Sequence, residues 1–379
     1  MKKLAIIGAS YLQVPLILKA KEMGMETHVF AWQVGDEGER IADRFYPISI
    51  VEKEEIAERC AEIGIDGVCS IASDLAAITV NYVANRLGLT GNSLECTKKS
   101  TNKHIMRLAF EANGDPSPKS IIVNSAEDIT EAGLRFPIII KPSDRSGSRG
   151  IMKLESLCGA ENAIKLAKEQ SFADEAVAEE FVEGKEYSIE GISYRGTHHI
   201  LTVTEKFTTG APNFIETGHL QPADLSGDIT DKIRKVVIHA LDSLEIENGA
   251  SHSEIKINSM GEIYLIEIGG RMGGDEIGSD LVPLTIGYDY IKAVIQIAMG
   301  EKPELNTAPN GTVAAVRFFL DEMDDEAFTR LRKNDPCMLV RYEKTGSDLL
   351  PVKDSSSRHG MFIFAGKERE RIREYLPGM

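Results

Sequence analysis

The stretch that decides the fold is His252-Ser253-Glu254-Ile255-Lys256, a turn at Asn258-Ser259-Met260-Gly261, and then Ile263-Tyr264-Leu265-Ile266-Glu267-Ile268. Two alternating apolar runs around a short Gly-containing turn predict a β-hairpin. On a hairpin Glu254 and Glu267 can share one face, where two carboxylates repel unless a cation lies between them. Hard oxygen ligands point to Mg²⁺, with phosphate nearby. Gly269-Gly270-Arg271-Met272-Gly273-Gly274-Asp275 follows at once and carries one fixed positive charge. A metal-binding acid pair beside an arginine is what phosphoryl transfer requires.

Working outward, the 379 residues are enough for two or three domains and a large core. Hydrophobic content of 42% and charged content of 27% are ordinary for a globular protein. No apolar run approaches the ~20 residues of a membrane span, so no membrane partner is expected. The run Leu4-Ala5-Ile6-Ile7 breaks at Gly8, too short for a signal sequence and suited to a first strand. A net charge of −16 argues against a nucleic-acid surface, which needs clustered Lys and Arg. Local cations must then hold any anionic substrate. Cys60, Cys69, Cys96, Cys158 and Cys337 show neither CxxC nor zinc spacing. Their odd number, without a signal sequence, predicts reduced thiols in the cytoplasm, all five as small buried hydrophobes.

The chain begins as a βαβ unit. Residues 3–8 read as a strand, a helical pattern follows through Leu16–Ala20 to near Gly24, and Thr27–Phe30 is a second strand. Asp66–Ile71 is a later strand, and a helix from about Leu75 to Leu87 ends at Gly88, a suitable C-cap. Residues 1–100 thus read as a doubly wound α/β domain. A helix is expected from about Ser100 to Asn113, with a sharp break at Gly114-Asp115-Pro116-Ser117-Pro118. Short strands over 119–123 and 136–141, a Gly/Ser loop, a helix over Ala160–Glu169 and the strand Ala176–Phe181 make a compact α+β unit over about 119–184. The strand Glu186–Tyr194 follows a turn, and the Glu254/Glu267 hairpin is expected in a larger mixed sheet. The tail, 306–379, contains strands at Val313–Leu320 and Met361–Phe364.

Gly8-Ala9-Ser10 lacks the full GxGxxG, and no acid follows the second strand, where Phe30-Ala31-Trp32 stands. This disfavours a dinucleotide site and leaves the turn as one wall of a substrate crevice, with Ser73 and Asp74 as further lining. Asp74 reads equally well as a helix N-cap. Lys141 ends the buried strand Phe136–Pro142, placed either to reach solvent or to meet an anion. Ser143-Asp144-Arg145-Ser146-Gly147-Ser148-Arg149-Gly150 can present backbone N–H groups to phosphates, but it is not a Walker A loop. Glu179-Glu180-Phe181-Val182-Glu183-Gly184-Lys185-Glu186 alone reads as a solvated strand end.

Taken in order, these segments resemble the ATP-grasp superfamily of carboxylate–amine/thiol ligases. The likeness rests on an α/β first domain, Lys103 in Thr101-Asn102-Lys103, and Lys141 before a Gly/Ser loop. It continues through the acidic–apolar hinge Glu179–Val182, Glu186, and Glu254 and Glu267 with Arg271. It covers about residues 1–305. The resemblance implies an N-terminal Rossmann-like domain (1–100), an ATP-grasp domain (101–305) with a mobile lid (about 119–184), and a C-terminal extension (306–379).

The resemblance also implies roles. Lys103 and Lys141 would hold ATP phosphates, with Lys141 and Arg271 in the catalytic centre. The loop 143–150, with Ser146, Gly147 and Ser148, would close over the β- and γ-phosphates. Glu179 would accept from the adenine amino group, the backbone of Glu180 and Val182 would read the ring edge, and Glu186 would bind the ribose. Glu254 and Glu267 would bind Mg²⁺, with Mn²⁺ as an alternative ion. Arg271 would stabilise a developing acyl phosphate. Many family members carry an Asn two residues after the second acid, where this chain has Gly269, so one metal ligand is missing.

The tracts Asn213–His219, Gly249–Glu254 and Glu267–Asp275 look most like the L-amino-acid ligase branch. They also resemble relatives of carbamoyl-phosphate synthase, biotin carboxylase and phosphoribosylglycinamide-type enzymes. The expected activity is ADP-forming ligation of a small-molecule carboxylate to an amine. The alternatives are a ligase acting on bicarbonate or formate, a nucleotide-binding protein without turnover, and an NAD-linked oxidoreductase. His219 and His252 are candidates for substrate contact, although packed, hydrogen-bonded histidines are the simpler reading. Ser357-Arg358-His359-Gly360 is a candidate cover for the site, although an arginine at a strand end commonly faces solvent. A homodimer is allowed for, as the commonest assembly.

Overall fold

A computed structural model of the protein describes residues 1–212, 214–345 and 351–378. Its first sheet is parallel and has four strands: β1 (Lys3–Ile7), β2 (Glu26–Phe30), β3 (Arg44–Tyr46) and β4 (Gly67–Cys69), in the order β3-β2-β1-β4. Alternation along β1 sends its side chains to two cores. Leu4 and Ile6 pack with Leu16, Ile17 and Ala20 of the helix Val14–Glu22. Ala5 and Ile7 pack with Ile56, Cys60 and Val83 of the helices Lys53–Ile63 and Asp74–Leu87. As expected, Gly88 ends the latter in the left-handed region, at φ 67°.

The second sheet is antiparallel: β5 (Ser120–Val123), β6 (Ile138–Pro142), β7 (Met152–Leu154) and β8 (Ala176–Glu180), in the order β5-β8-β6-β7. Ala160, Ala163, Ile164 and Ala167, one apolar stripe of the helix Ala160–Gln170, pack against Ile138, Ile140 and Ala178.

The third sheet holds β9 (Lys185–Tyr194), β10 (Thr197–Thr208), β11 (Glu216–Gln221), β12 (Gly249–Ile257), β13 (Ile263–Gly269), β14 (Val313–Phe318), β15 (Leu339–Lys344) and β16 (Gly360–Gly366). Their order is β13-β12-β9-β10-β11-β14-β16-β15, antiparallel throughout. The helices Lys103–Asn113 and Gly227–Ser243 cover it with Met106, Phe110, Ile233, Val237 and Leu241 against Ile189, Ile255 and Leu265. The helix Tyr290–Ala298 joins the first and third sheets. Its Ile291, Val294 and Ile295 share a core with Leu4 and Ile6 and with Ile192 and Ala250, and Tyr290 Oη donates to Gly191 O at 2.6 Å.

Three local expectations are corrected. The helix expected from Ser100 to Asn113 is two helices, Leu94–Thr101 and Lys103–Asn113. Asn102 leaves helical geometry (φ −114°, ψ 117°) and its side chain accepts from the Ile105 N–H, the ordinary work of an N-cap asparagine. The short strand β7 was not anticipated. Cysteine burial holds for Cys60, Cys69 and Cys96, whose thiols burial pushes up to about 12, whereas Cys158 and Cys337 are exposed.

Candidate active site

The β12–β13 hairpin places Glu254 and Glu267 directly opposite one another, next to a bulge at Glu254/Ile255. Each carboxylate meets a lysine from elsewhere. Glu254 Oε1 accepts from Lys206 Nζ of β10 at 2.8 Å. Glu267 Oε1 accepts from Lys103 Nζ at 2.9 Å. Lys103 is the first residue of the helix that Asn102 caps, so the break in the helix aims it at this hairpin. Burial would raise the Glu254 carboxyl, but Lys206 and His252 hold it well below its ordinary range. Burial likewise opposes the charge on Lys103 and Lys206, and their acidic neighbours outweigh it, raising both ammonium groups.

Lys141, near the end of β6, lies 2.6 Å from Glu179 Oε2, and Arg107 Nε lies 3.0 Å from Glu179 Oε1. Burial lowers the Lys141 ammonium despite this partner. Burial opposes the charge on Glu179 too, but Arg107 and Lys141 bring it down to about 2. Glu179, expected to accept from an adenine amino group, is 3% exposed, and its carboxylate is engaged by two cations. Glu180 turns its side chain outward onto Arg135 and donates its backbone N–H to Lys119 O. Glu186 pairs with Lys256 at 3.1 Å.

The loop 143–150 is tied down by Lys103 Nζ donating to Arg145 O at 2.6 Å and Ser148 Oγ donating to Phe214 O at 2.9 Å. Gly147 and Ser148 have φ of 73° and 58°. Among the described residues, no acceptor takes the backbone N–H groups of 145–149, which suits a cover for phosphate oxygens.

Asp74 does not cap its helix. Ser73 does, accepting from the Ala76 N–H, and Asp74 instead takes both Nε (2.8 Å) and Nη2 (2.9 Å) of Arg271. Gly269 gives that pair its room, since a Cβ there would lie 2.8 Å from Asp74 Oδ1. His252 lies between Glu190 (Nδ1–Oε1, 2.5 Å) and Glu254 (Nε2–Oε1, 3.4 Å). Burial opposes its charge, but Glu190 lifts it to about 9. His219 Nε2 meets Asp275 Oδ2 at 3.2 Å. Arg358 also pairs with Asp275 and lies 3.6 Å from the centre of the Phe318 ring. The packed, hydrogen-bonded reading of both histidines is thus the geometry found. Asn213, the first residue of the tract ending at His219, lies outside the described residues.

One cavity of about 1120 Å³ gathers these groups. Lys103, Lys141, Ser146, Gly147, Ser148, Glu179, Glu180, Val182, Glu186, Glu254, Glu267 and Arg271 all line it, as do His219, His252, Asp74 and the Gly8–Ser10 turn. Sequence reasoning missed Lys206, Arg107 and Glu190, and it held Arg358 as a candidate cover beside the reading as a surface residue; Arg358 lines the cavity. Lys206 carried one signal, as the lone lysine in the stretch Thr197–Thr208 that forms β10.

The acid pair fits a divalent cation. Among the described residues, Oε2 of Glu254 and of Glu267 makes no hydrogen bond, and no group of three or more His, Cys, Asp or Glu side chains could hold an ion unaided. Two carboxylates are the protein donor set that Mg²⁺ takes when water and phosphate oxygens complete its octahedron.

The chain is similar to known proteins in sequence and in fold. Residues 134–280 match the ATP-grasp domain family. The chain is 30% identical over 269 residues to alanine–anticapsin ligase of Bacillus subtilis, covering 62% of this chain and 57% of that protein. The chain therefore spans little more than half the length of this relative. An L-amino acid ligase from Bacillus licheniformis superposes with a TM-score of 0.82 at 22% identity, over 99% of this chain and 96% of the other. N5-carboxyaminoimidazole synthetase from Staphylococcus aureus complexed with ADP superposes at 0.78 and 15% identity, over 98% and 95%. Residues 134–280 thus match the ATP-grasp domain family, and the chain has the ATP-grasp fold.

Proposed function

We propose that this protein is an ADP-forming ligase that activates a small carboxylate as an acyl phosphate and joins it to an amine. The observation that carries this reading is the convergence of the Glu254/Glu267 pair, Lys103, Lys141, the 143–150 loop and Arg271 on one cavity. A substrate carboxylate oxygen attacks the γ-phosphorus of ATP, the bond to the β-phosphate oxygen breaks, and ADP departs. The amine nitrogen then attacks the acyl carbon, phosphate leaves, and the nitrogen gives up a proton.

The chain's part is positioning and charge neutralisation. Lys103 and Lys141 hold phosphate oxygens, with Glu179 and Arg107 fixing Lys141. Residues 145–149 cover the β- and γ-phosphates and exclude water from the acyl phosphate. The backbone of Glu180 and Val182 meets the adenine edge, and Glu186 meets the ribose. Arg271, fixed by Asp74, faces the charge that develops on the transferred group. Glu254 and Glu267 would hold Mg²⁺, which would neutralise phosphate charge. The same reading divides the chain near residues 100 and 305, with residues 119–184 as the lid. The amide-ligase names of the relatives support an amino-acid substrate.

The test is ADP and phosphate release from Mg-ATP with pairs of the common amino acids, and with bicarbonate as a separate arm. We expect release with at least one amino-acid pair, and its loss in Glu267→Ala and Lys141→Ala proteins that keep the native circular dichroism. Normal turnover in either variant would sink the assignment, and release with bicarbonate alone would move it to the carboxylating relatives.

A further inference from the structure

We propose that the cavity wall built by the first sheet is a subsite for an uncharged apolar side chain, so that one of the two substrates is an amino acid carrying a group of leucine-to-phenylalanine size. This rests on the ligase reading and names the class of molecule it acts on. Tyr11, Trp32, Val34 and Val51 are 54%, 55%, 71% and 41% exposed, yet all four line the cavity that holds the acid pair. They come from the segments that follow β1, β2 and β3, at the carboxyl ends of parallel strands, where open α/β sheets take their ligands. Large apolar groups left open to water in a concave site gain by being covered, and flat aromatic faces are suited to covering an aliphatic or aromatic group.

The wall also has a polar edge. The Tyr11 phenol lies within the field of Asp275 and Arg358, both of which line the cavity. A zwitterionic head can therefore stay among charges while its side chain lies against Trp32. Asp36 borders the same wall and disfavours a second carboxylate there.

Trp32 is the only tryptophan in the chain, so its emission reports on this wall alone. The experiment is a fluorescence titration of the full chain, with Mg²⁺ and a non-hydrolysable ATP analogue present, using L-leucine, L-phenylalanine, L-serine and L-aspartate. We expect a saturable blue shift with leucine and phenylalanine, and at least tenfold weaker responses with serine and aspartate. Val34→Asp, a change at an exposed position, should weaken leucine and phenylalanine at least tenfold while calorimetric affinity for the nucleotide analogue stays unchanged. Equal binding of serine or aspartate, or full affinity for leucine and phenylalanine in Val34→Asp, would overturn the subsite. So would an emission shift that follows protein concentration, with sedimentation showing a dimer that Val34→Asp dissociates; a second copy would then cover the wall. Failure of the unsubstituted protein to bind the nucleotide analogue would overturn the ligase reading itself, an outcome distinct from nucleotide binding with an unresponsive Trp32.

Discussion

At Gly269 a β-carbon would sit 2.8 Å from Asp74 Oδ1 and 3.3 Å from Arg271 Nε. The residue that looked like a lost metal ligand is thus the space in which an arginine is fixed. Gly269→Asn should displace the Asp74–Arg271 pair, and we expect ADP release to fall at least tenfold with the melting temperature little changed; undiminished release would show that the pair is dispensable. Glu179 offers a second test. Its folded value of about 2 lies below the ordinary 4.5, so its charge contributes stability that is present above pH 4.5 and lost as pH falls from there towards 2. The contribution is roughly 3 kcal/mol at neutral pH. Glu179→Gln should be less stable at pH 7, and urea midpoints should show it less sensitive to acid between pH 4.5 and 2. Glu254 and Glu267 were legible because strand alternation and a short turn fix which residues face one another. Arg271 and Asp74 were each noticed, but their pairing was not legible, since 197 positions separate them and no local rule relates them.

Among the elements, the helix break at Asn102 has the most direct bearing on the site. Residues 97–104 are all polar, so periodicity is silent there and does not reveal that the asparagine side chain starts a second helix. That start points Lys103 at Glu267 and at the Arg145 carbonyl. Asn102→Ala should cost about 1 kcal/mol of stability and should also weaken nucleotide binding, because Lys103 loses its fixed origin. A thermal melt alongside nucleotide calorimetry separates these effects, and lost stability with intact affinity would mean that Lys103 does not depend on the cap. The strand β9 shows a related limit. Only residues 181–184 separate it from β8, yet it leaves the small sheet and pairs with β12 and β10.

In the whole molecule the tail is part of the same sheet as the acid hairpin. β14 pairs with β11 and with β16, and Phe319, Leu331, Phe362 and Phe364 share a core with Leu220 of β11. A chain ending at residue 305 should expose the β11 edge and that apolar face, inviting edge-to-edge association. We expect it to aggregate, with a soluble, folded 1–305 protein as the contrary result in size-exclusion chromatography. The α/β start was readable from consecutive apolar runs, and the tail strands at 313–320 and 361–364 were found. Their partners were not, because antiparallel pairing between residues far apart in the chain, such as Gly218 and Arg317, leaves no periodic trace.

The cavity is also arranged as an ion exchanger would be. Lys103, Lys141, Lys206, Arg271 and Arg358 each already hold a carboxylate, so the protein stores its positive charge in neutralised form despite a net charge of −16. On the proposed reading an arriving polyphosphate would compete with those carboxylates for the lysines, and every lysine it won from Glu254 or Glu267 would free an acid for a divalent cation. Anion and cation uptake would then be coupled in one swap of partners, and neither guest would find its full set of contacts until the other had come in.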